Sequence, residues 1–374
     1  MRIGVLTGGG DCPGLNAVIR GVVRKSLNLG HEVIGIKQGW KGLIENLHEP
    51  LDLEAISGIL HRGGTILQTS RTNVYKIPNG ENIVKENMAK HGIDALIAIG
   101  GEDTLGVAAK LYKSGVKVVG APKTIDNDLS ATDYTFGFDT AVNIAMEAID
   151  RLHTTAESHN RVIVVEVMGR HAGWIALHAG IAGGADVILI PEKPFNIDEV
   201  CGYIKKRAER GKTFSIVVVA EGAKFDKASQ ADGMILQSQK LDEFGHVRLG
   251  GIGNVLAEEI EKRTGFETRA TILGHIQRGG SPTAFDRVLG TRFGVFAAEL
   301  AHNQQWGKMA ALRGTQVIAA NLEEAVGTLK TVDLSLLDVA STFFGRFIEN
   351  KKADFFESAF FNAFNFFCSS TRQM

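Results

Sequence analysis

Short runs rich in β-branched residues recur along this chain, and most of them end in glycine. They cover residues 3–6, 32–36, 95–99, 117–120, 162–167, 186–190, 215–220 and 269–273. Segments with the apolar spacing of amphipathic helices lie between most of them, at residues 15–29, 104–114, 140–155, 197–211 and 253–263. Strands that alternate with helices in this way are typical of parallel sheets covered on both faces, so the sequence predicts an α/β fold.

The length of the chain predicts two lobes, because a single core rarely grows to 374 residues. No linker rich in proline or serine marks a boundary, which two lobes that exchange chain segments would explain. Residues 223–246 are polar and poorly periodic, and we expect a surface excursion there, such as a hairpin. In open sheets of this kind ligands bind beyond the carboxyl ends of the strands, so we expect the functional residues at those ends.

Composition argues against two classes of partner. The 41 basic residues balance 42 acidic ones, which does not favour nucleic acid. No apolar run reaches the roughly 18 residues that span a bilayer, and the first residues are typical of a strand rather than a signal peptide. We therefore expect a cytoplasmic protein with no membrane partner, and we expect its three scattered cysteines, Cys12, Cys201 and Cys368, to be reduced thiols.

Two glycine-rich turns follow predicted strands and precede helices. In the first, residues 8–10, backbone amides and the helix dipole favour a phosphate, although an ordinary tight turn explains the glycines equally well. In the second, residues 100–104, two glycines are followed by Glu102, Asp103 and Thr104. Carboxylates at that place fit a divalent cation that screens bound phosphates, since Mg²⁺ takes few protein carboxylates together with substrate oxygens. A plain helix N-cap at Asp103 or Thr104 is the alternative.

The segment 122–128, with the sequence PKTIDND, is the most specific of these patterns. Asp126 and Asp128 stand two positions apart after a predicted strand and therefore point to the same side. One carboxylate can accept a proton from an attacking hydroxyl while the other holds metal or orients the first. Lys123 can neutralise charge on a leaving phosphate. A turn held by its own Asx hydrogen bonds would explain Asn127 and one aspartate, but not the lysine and both acids together.

Arginines and a histidine near the ends of later strands suit a phosphate monoester, since guanidinium groups bind it with paired hydrogen bonds. Glu221 would suit sugar hydroxyls. For any one of these residues a surface ion pair is the simpler explanation, but as a set they favour a binding site. The set consists of Arg161, Arg170, Arg269, His275 and Arg278.

Six motifs, in order along the chain, together resemble the 6-phosphofructokinase family. They are GGGDCPGLN near the start, GGEDT at Gly100, PKTIDND at Pro122, EVMGRHAGW at Glu166, AEG at Ala220 and LGHIQRGGSP at Leu273. The resemblance runs from residue 1 to about residue 345. It implies a phosphofructokinase-like fold of two Rossmann-like lobes, transfer of a phosphoryl group to the 1-hydroxyl of fructose 6-phosphate, and Mg²⁺ as cofactor.

The resemblance also implies roles for individual positions. Asp126 matches the base that deprotonates the 1-hydroxyl, and Glu102 matches the metal position. The other catalytic positions are Lys123, Thr124, Asp128 and Arg170. The donor-phosphate positions are Gly10, Arg71, Thr72, Gly101, Asp103, Thr104 and Lys123. The fructose 6-phosphate positions are Thr124, Ile125, Asp126, Met168, Gly169, Arg170, Glu221, His275, Ile276, Gln277 and Arg278. Arg161 and Arg269 match arginines that a neighbouring subunit supplies, which implies a homodimer or homotetramer with shared active sites.

Two positions bear on the phosphoryl donor. Members of the family that use ATP usually have glycine where this chain has Asp103 and Lys123. Aspartate there adds bulk and negative charge where the α-phosphate of ATP would lie, whereas Lys123 can stabilise the phosphate that leaves diphosphate. Both residues together resemble the pyrophosphate-dependent group. We therefore expect diphosphate as the donor in a reversible reaction, with ATP as the alternative.

The family resemblance also implies a division of the chain. We expect a phosphate-donor lobe of residues 1–138 plus about 250–304, and a fructose-6-phosphate lobe of about 139–249 plus 305–345. The remaining residues, 346–374, form a tail rich in phenylalanine. Either it is an amphipathic helix that docks on the body or on another subunit, or it is an extension with no catalytic role.

Three other functions agree less well with the sequence. An NAD or lipid kinase shares a GGD-type phosphate loop, but it gives no reason for MGR or GHIQRGG. A dehydrogenase of the NAD type would have an acidic residue at the ribose spacing after a GxGxxG turn, which this sequence lacks. A noncatalytic regulatory subunit would have lost Asp126.

Overall fold

The computed structural model describes residues 1–226, 236–241 and 247–344 of the chain, and its α/β fold confirms the predicted class. The strands are β1 (Arg2–Thr7), β2 (Glu32–Ile36), β3 (His48–Pro50), β4 (Ala95–Gly100), β5 (Val118–Pro122), β6 (Val162–Val167), β7 (Val187–Leu189), β8 (Ser215–Ala220), β9 (Leu236–Leu241), β10 (Val247–Leu249), β11 (Thr268–Ile272), β12 (Lys308–Arg313) and β13 (Gln316–Asn321). The α-helices are α1 (Leu15–Asn28), α2 (Trp40–Glu45), α3 (Gly80–Lys90), α4 (Glu102–Lys113), α5 (Phe138–His159), α6 (Trp174–Ala182), α7 (Ile197–Glu209), α8 (Ile252–Thr264), α9 (Ala284–His302), α10 (Leu322–Val326) and α11 (Leu334–Ser341).

The larger sheet has the strand order β13-β12-β5-β4-β1-β2-β3 in the described part of the chain. Its inner strands are parallel, and β3 and β13 pair antiparallel at the two edges. Every residue of β4 and β5 is buried, as expected for nearly continuous apolar strands covered on both faces. Because β5, β4 and β1 are neighbours, the turns after their carboxyl ends lie side by side.

The smaller sheet has the order β11-β6-β8-β7, and all of its strands are parallel. β6 and β8 are fully buried at its centre. The carboxyl ends of β6, β8 and β11 lead into residues 168–173, 221–222 and 273–278. These segments contain the motifs predicted to bind the sugar phosphate.

The strand pairing differs from the predicted division of the chain in two places. β12 and β13, which were expected in the fructose-6-phosphate lobe, extend the larger sheet, where Met309 of β12 pairs with Gly120 of β5. β11 and α8, which were expected in the donor lobe, belong to the smaller sheet, where β11 pairs with β6 and α8 packs on both strands. The cause is α9, which carries the chain from β11 back to the larger sheet along α1.

Glycines let α1 and α9 approach closely. A Cβ atom added to Gly294 would lie 2.3 Å from the carbonyl oxygen of Val18, and one added to Gly21 would lie 2.7 Å from the carbonyl oxygen of Thr291. Both distances are far below van der Waals contact, so any side chain there would push the backbones apart. The close contact of α1 with α9 places β12 beside β5.

Three smaller predictions concern the surface and the thiols. The excursion expected over residues 223–246 includes part of an antiparallel hairpin, in which β9 pairs with β10. Cys12 and Cys201 are buried free thiols in the described part of the chain, as predicted. Cys368 and the tail rich in phenylalanine lie outside the described residues. None of the described helices is both long enough and apolar enough to cross a bilayer.

Candidate active site

Lys123, which follows β5, joins the two glycine turns that follow β1 and β4. Its backbone nitrogen donates to the carbonyl oxygen of Gly100 at 2.9 Å, and its buried ammonium group donates to the carbonyl oxygen of Gly10. Gly9 has a φ of 80°, and a Cβ atom added there would lie 3.3 Å from Lys123 Nζ. A side chain at position 9 would therefore be strained and would crowd the ammonium group. The structure brings the two predicted turns and Lys123 together.

Helix α4 begins directly at the acidic pair. Gly101 is its N-cap residue, the first helical residue is Glu102, and no side-chain cap bond is present among the described residues. The alternative that Asp103 or Thr104 is a plain N-cap is therefore wrong. Thr104 is buried, and a Cβ atom added to Gly100 would lie 2.3 Å from the Cβ of Thr104. This threonine side chain packs closely against the turn.

A third segment, residues 69–72, lies against the first glycine turn. The Gly9 nitrogen donates to the carbonyl oxygen of Ser70 at 3.1 Å, and Thr69 Oγ1 donates to the carbonyl oxygen of Gly9 at 2.6 Å. These two bonds place Arg71, which is exposed, and Thr72, which is half-buried, beside the turn that contains Gly10. Both residues were predicted to contact donor phosphate only from the family resemblance, since neither lies in one of the six motifs.

Asp126 is held by its own loop while part of its carboxylate stays unpaired. Its backbone nitrogen donates to Thr124 Oγ1 at 3.0 Å, and the residue is 4% exposed. Asp126 Oδ1 is buried and has no hydrogen-bond partner within the described part of the chain. A buried carboxylate oxygen without a partner is costly, and such groups are characteristic of sites that bind a polar ligand.

The charged groups of this site shift one another's pKa. Burial, and then the negative charge of Asp126, raise the pKa of Asp128 to about 7. The same two causes raise the pKa of Glu221 to about 7. Burial lowers the pKa of Lys123 to about 8, which leaves the ammonium group mostly charged at neutral pH. Shifts with these causes are typical of functional sites.

The sugar-side loops are tied to one another through their backbones. The Arg170 nitrogen donates to Glu221 Oε1 at 3.1 Å, and Gly169 and Arg170 have φ values of 141° and 52°. A Cβ atom added to Gly222 would lie 1.9 Å from the carbonyl oxygen of Arg170. The strained backbone of residues 169–170 is thus fixed against the end of β8. Met168, Gly169, Arg170 and Glu221, all predicted from the sequence, lie together.

Gln277 has a different task from the one predicted. It is fully buried, its Oε1 accepts a hydrogen bond from the Met168 nitrogen at 3.3 Å, and its Nε2 donates to the carbonyl oxygen of Gly274 at 3.1 Å. Both ends of the amide are therefore used inside the chain, where they join the loops after β6 and β11. His275 and Ile276 are exposed beside it.

Arg278 connects the two halves of the site. It follows β11 of the smaller sheet, and its Nη1 donates to the carbonyl oxygen of Asp11 at 3.3 Å. A Cβ atom added to Gly10 would lie 2.9 Å from the same Nη1. The sugar-side loop thus reaches the donor turn, and we call the region between the loops of the two sheets the cleft. A hydroxyl placed at Asp126 in this cleft can lose its proton while Lys123 and Arg278 balance phosphate charge.

Arg161 and Arg269 do not lie in this cleft. Arg161 precedes β6 and Arg269 is the second residue of β11, so both are at the amino ends of their strands, opposite the sugar-side loops. The six residues of β6 separate the two ends by roughly 17–20 Å. Both guanidinium groups pair with Glu267, at 2.7 and 2.6 Å. The expectation that every motif lies at a carboxyl end is wrong for these two arginines.

Thr135 and Lys330, which no sequence pattern indicated, support the segment 122–128 from behind. Thr135 Oγ1 donates to the carbonyl oxygen of Thr124 at 2.8 Å, and Lys330 Nζ donates to Asn127 Oδ1 at 3.0 Å. Lys330 stands about 200 residues from its partner, in a segment without a recognisable motif. Only the folded chain brings them together.

Comparison with known proteins identifies the family. The family model described as Phosphofructokinase matches residues 2–301. This chain belongs to the phosphofructokinase family. It is 60% identical over 348 residues to the pyrophosphate–fructose 6-phosphate 1-phosphotransferase of Streptomyces coelicolor, with 92% of this chain and 100% of that protein covered. It is 54% identical over 347 residues to an ATP-dependent 6-phosphofructokinase of Corynebacterium efficiens, with 92% and 99% covered. The solved phosphofructokinase of Pichia pastoris in the T-state is similar with a TM-score of 0.77 and 31% identity, over 91% of this chain and 36% of that longer one.

Proposed function

We propose that this phosphofructokinase transfers a phosphoryl group reversibly between diphosphate and the 1-hydroxyl of fructose 6-phosphate, which forms fructose 1,6-bisphosphate. The observation that carries the proposal is the environment of Asp126. Its carboxylate is buried, has one unpaired oxygen among the described residues, and is within electrostatic reach of Lys123 on the donor side and Glu221 on the sugar side. The relative with 60% identity, which is named for this reaction, supports the proposal.

In the proposed reaction Asp126 is the general base. The sugar 1-hydroxyl oxygen attacks a phosphorus atom of diphosphate, its proton passes to Asp126, and the bond to the leaving phosphate breaks. Lys123, whose charge lies at the donor turn, stabilises the leaving phosphate. The protein forms no covalent bond, so positioning and charge neutralisation supply most of the rate. Thr124, whose Oγ1 accepts a hydrogen bond from the Asp126 nitrogen, positions the base, and Thr124 and Ile125 contact the sugar phosphate from the same loop.

The sugar-side loops bind fructose 6-phosphate in this proposal. Glu221 accepts hydrogen bonds from sugar hydroxyls, and Arg170 and Arg278 meet phosphate charge from two sides of the cleft. His275 and Ile276, which are exposed at the mouth of the cleft, contact the sugar phosphate. Met168 and Gly169 shape the backbone around it.

A divalent cation fits the acidic groups on the donor side. Glu102 stands in the first turn of α4, and its negative charge contributes to the raised pKa of Asp128, so the two carboxylates are within electrostatic reach of each other. Mg²⁺ bound there would take Glu102 and phosphate oxygens as ligands. Bound Mg²⁺ would neutralise charge on the phosphoryl group.

The choice of donor rests on Asp103 and Lys123. Relatives at 54% identity are named as ATP-dependent, so family membership alone leaves both donors open. Asp103, in the first turn of α4, would repel the α-phosphate of ATP and take up part of its space. Lys123 offers the leaving phosphate a buried positive charge. Diphosphate suits this pair and ATP does not.

We extend the proposal to a site shared between subunits. Arg161 and Arg269 are on the far side of the smaller sheet from the cleft of their own chain. As members of the set that suits a phosphate monoester, they would complete the 6-phosphate site of a neighbouring copy. A homodimer or homotetramer follows from this arrangement.

A side-by-side donor assay tests the proposed function. Purified protein with Mg²⁺ and fructose 6-phosphate is given diphosphate or ATP at equal concentration, and fructose 1,6-bisphosphate is measured. We expect a higher kcat/KM with diphosphate, and formation of diphosphate when fructose 1,6-bisphosphate and inorganic phosphate are supplied. Faster turnover with ATP would refute the choice of donor.

A further inference from the structure

Lys330 lies behind the segment 122–128 and is hydrogen-bonded to it through both its backbone and its side chain. Its backbone nitrogen donates to the carbonyl oxygen of Asp128 at 2.9 Å. Its ammonium group donates to three acceptors: Asn127 Oδ1 at 3.0 Å, the carbonyl oxygen of Thr132 at 2.9 Å and that of Asp133 at 2.9 Å. The three protons of the ammonium group therefore have three acceptors.

The acceptor on Asn127 links Lys330 to the loop of the base. Asn127 adopts a left-handed backbone conformation, with a φ of 50°, between Asp126 and Asp128. Its Oδ1 also accepts a hydrogen bond from the Thr135 nitrogen at 3.1 Å, and Thr135 Oγ1 donates to the carbonyl oxygen of Thr124 at 2.8 Å. Asn127 Oδ1 thus joins Lys330 to Thr135, and the hydroxyl of Thr135 holds the other end of the turn that contains Asp126.

The other contacts of Lys330 lead to the sugar-side loop. Trp174, the first residue of α6, follows the MGRHAG motif and donates its indole N–H to the carbonyl oxygen of Lys330 at 3.0 Å. Lys330 Nζ lies 5.2 Å from the centroid of the same ring. Two residues later, the Val332 nitrogen donates to Glu192 Oε1 at 3.0 Å, which also accepts from the Gly173 nitrogen at 3.0 Å. Residues 330–332 therefore hold the base loop of one sheet against the motif of the other.

A buried lysine adds little stability by itself, because removing its charge from water costs free energy. Burial lowers the pKa of Lys330 to about 8. The positive charge of Arg313 also acts to lower this pKa, whereas the negative charges of Asp133 and Asp128 act to raise it. A buried ion pair or ammonium group contributes little net stability compared with apolar packing, whereas it fixes the geometry of its partners. The geometry fixed here is that of the loop containing Asp126.

We propose that Lys330 is a positioning residue for phosphoryl transfer, which acts through Asn127 to hold the carboxylate of Asp126 toward the sugar-side loop. The inference rests on the proposed role of Asp126 as base. Displacement of a catalytic group by about 1 Å can cost about 100-fold in rate. The ammonium group that Lys330→Met removes donates to Asn127, Thr132 and Asp133 and to no residue proposed to bind the sugar phosphate, so its effect belongs in kcat and not in sugar binding.

The test is Lys330→Met, with Lys308→Met as the matched control. Lys308 also donates to an asparagine, Asn321 Oδ1 at 2.6 Å, but it is the first residue of β12, which runs parallel to β5, so it lies at the end of the sheet opposite the base loop. At a temperature where melting curves show each variant fully folded, we expect Lys330→Met to lower kcat by about 10- to 100-fold, with the Kd of fructose 6-phosphate changed by less than about threefold. Lys308→Met should keep the native kcat. A native kcat in folded Lys330→Met overturns the proposal, and so does an equal loss in kcat and sugar affinity.

If Lys330→Met does not fold, a milder variant tests the positioning role of Lys330. Trp174→Phe keeps an aromatic ring but removes the hydrogen bond to the carbonyl oxygen of Lys330. We expect a fall in kcat of several-fold at an unchanged Kd for the sugar phosphate, and a native kcat overturns the proposal. Asp126→Asn is measured in parallel. If that variant keeps its turnover, the proposed base is wrong; if it alone loses turnover, only the positioning role of Lys330 is wrong.

Discussion

At the scale of single residues, the proposed choice of donor rests on two side chains of opposite charge. Asp103 stands at the start of α4, and Lys123 is buried beneath the glycine turns. Removing the acidic side chain should open space for ATP and remove the repulsion of its α-phosphate. We predict that Asp103→Gly raises kcat/KM for ATP by about tenfold or more, which equals about 1.4 kcal/mol of transition-state binding.

Initial rates with ATP and with diphosphate measure this change. Asp338→Gly is the control, because it also removes a carboxylate from a helix but lies in α11, away from the cleft. The combined variant Asp103→Gly with Lys123→Gly should use ATP still better. An ATP rate that stays at the native level in both variants would show that donor choice lies elsewhere.

The lowered pKa of Lys123 leads to a second prediction at the residue scale. Burial lowers it to about 8, so the free enzyme loses this positive charge as the pH rises through about 8. The kcat/KM for diphosphate, which reports groups of the free enzyme, should therefore fall on the alkaline side near that pH. Lys123→Met should show a low rate without this alkaline limb. An unchanged alkaline limb in that variant would assign the limb to another group.

Sequence patterns predicted the residues of the site better than their contacts. Lys123 and Asp126 follow β5, and Arg170 and Glu221 follow β6 and β8, which are neighbours in the smaller sheet, so the proximity within each pair follows from the fold. The support from Lys330 could not be predicted, because hydrogen bonds between distant segments leave no local pattern. Gln277 stood in a motif, yet its side chain is used to join two loops. A motif indicates that a residue matters, but not which atoms it contacts.

At the scale of elements, long buried strands such as β6 and β8 could be predicted, whereas the antiparallel edge strands β3 and β13 of the larger sheet could not. β6 and β8 have the predicted bounds, since each is a continuous apolar run. β13 is mostly exposed and pairs antiparallel at an edge, so its sequence QVIAAN lacks a clear apolar pattern. α9 was also missed, because it packs against both α1 and the larger sheet and its apolar residues are not confined to one stripe.

The close contact of α1 with α9 gives a prediction about stability. Gly294→Ala adds a methyl group 2.3 Å from the Val18 carbonyl oxygen, so the helices must separate. We expect the free energy of unfolding to fall by about 1–3 kcal/mol, as for other overpacked interiors. Gly106→Ala is the matched control: it lies in α4 with nothing within 4 Å of the added carbon, and helix propensity favours alanine by about 1 kcal/mol. Thermal melting of both variants measures the difference. A Gly294→Ala protein as stable as the native one would contradict the close packing.

At the scale of the whole molecule, the two sheets supply different halves of one cleft. α9 returns the chain from the smaller sheet to the larger, and Arg278 reaches from the smaller sheet to the turn that contains Gly10. Arg161 and Arg269 lie at the opposite end of the smaller sheet. In the proposed arrangement they complete the phosphate site of a second copy of the chain.

Mixing two inactive variants tests the shared site. Asp126→Asn and Arg269→Ala should each be nearly inactive as homo-oligomers. In a mixed pair one site contains both changes and the other contains neither, so random exchange of subunits should restore about a quarter of native activity. Activity after mixing and subunit exchange measures this. If mixing restores none, the sites are not shared.

The central claim is that the carboxylate of Asp126 accepts the proton of the sugar hydroxyl. Its most direct test is the turnover of Asp126→Asn with diphosphate and fructose 6-phosphate, together with calorimetric binding of the sugar phosphate. Asparagine keeps the shape of the side chain but is not a base, so we predict that kcat falls by about 100- to 10,000-fold while the Kd stays near its native value. A variant that binds the sugar phosphate normally and keeps its native turnover would contradict the account.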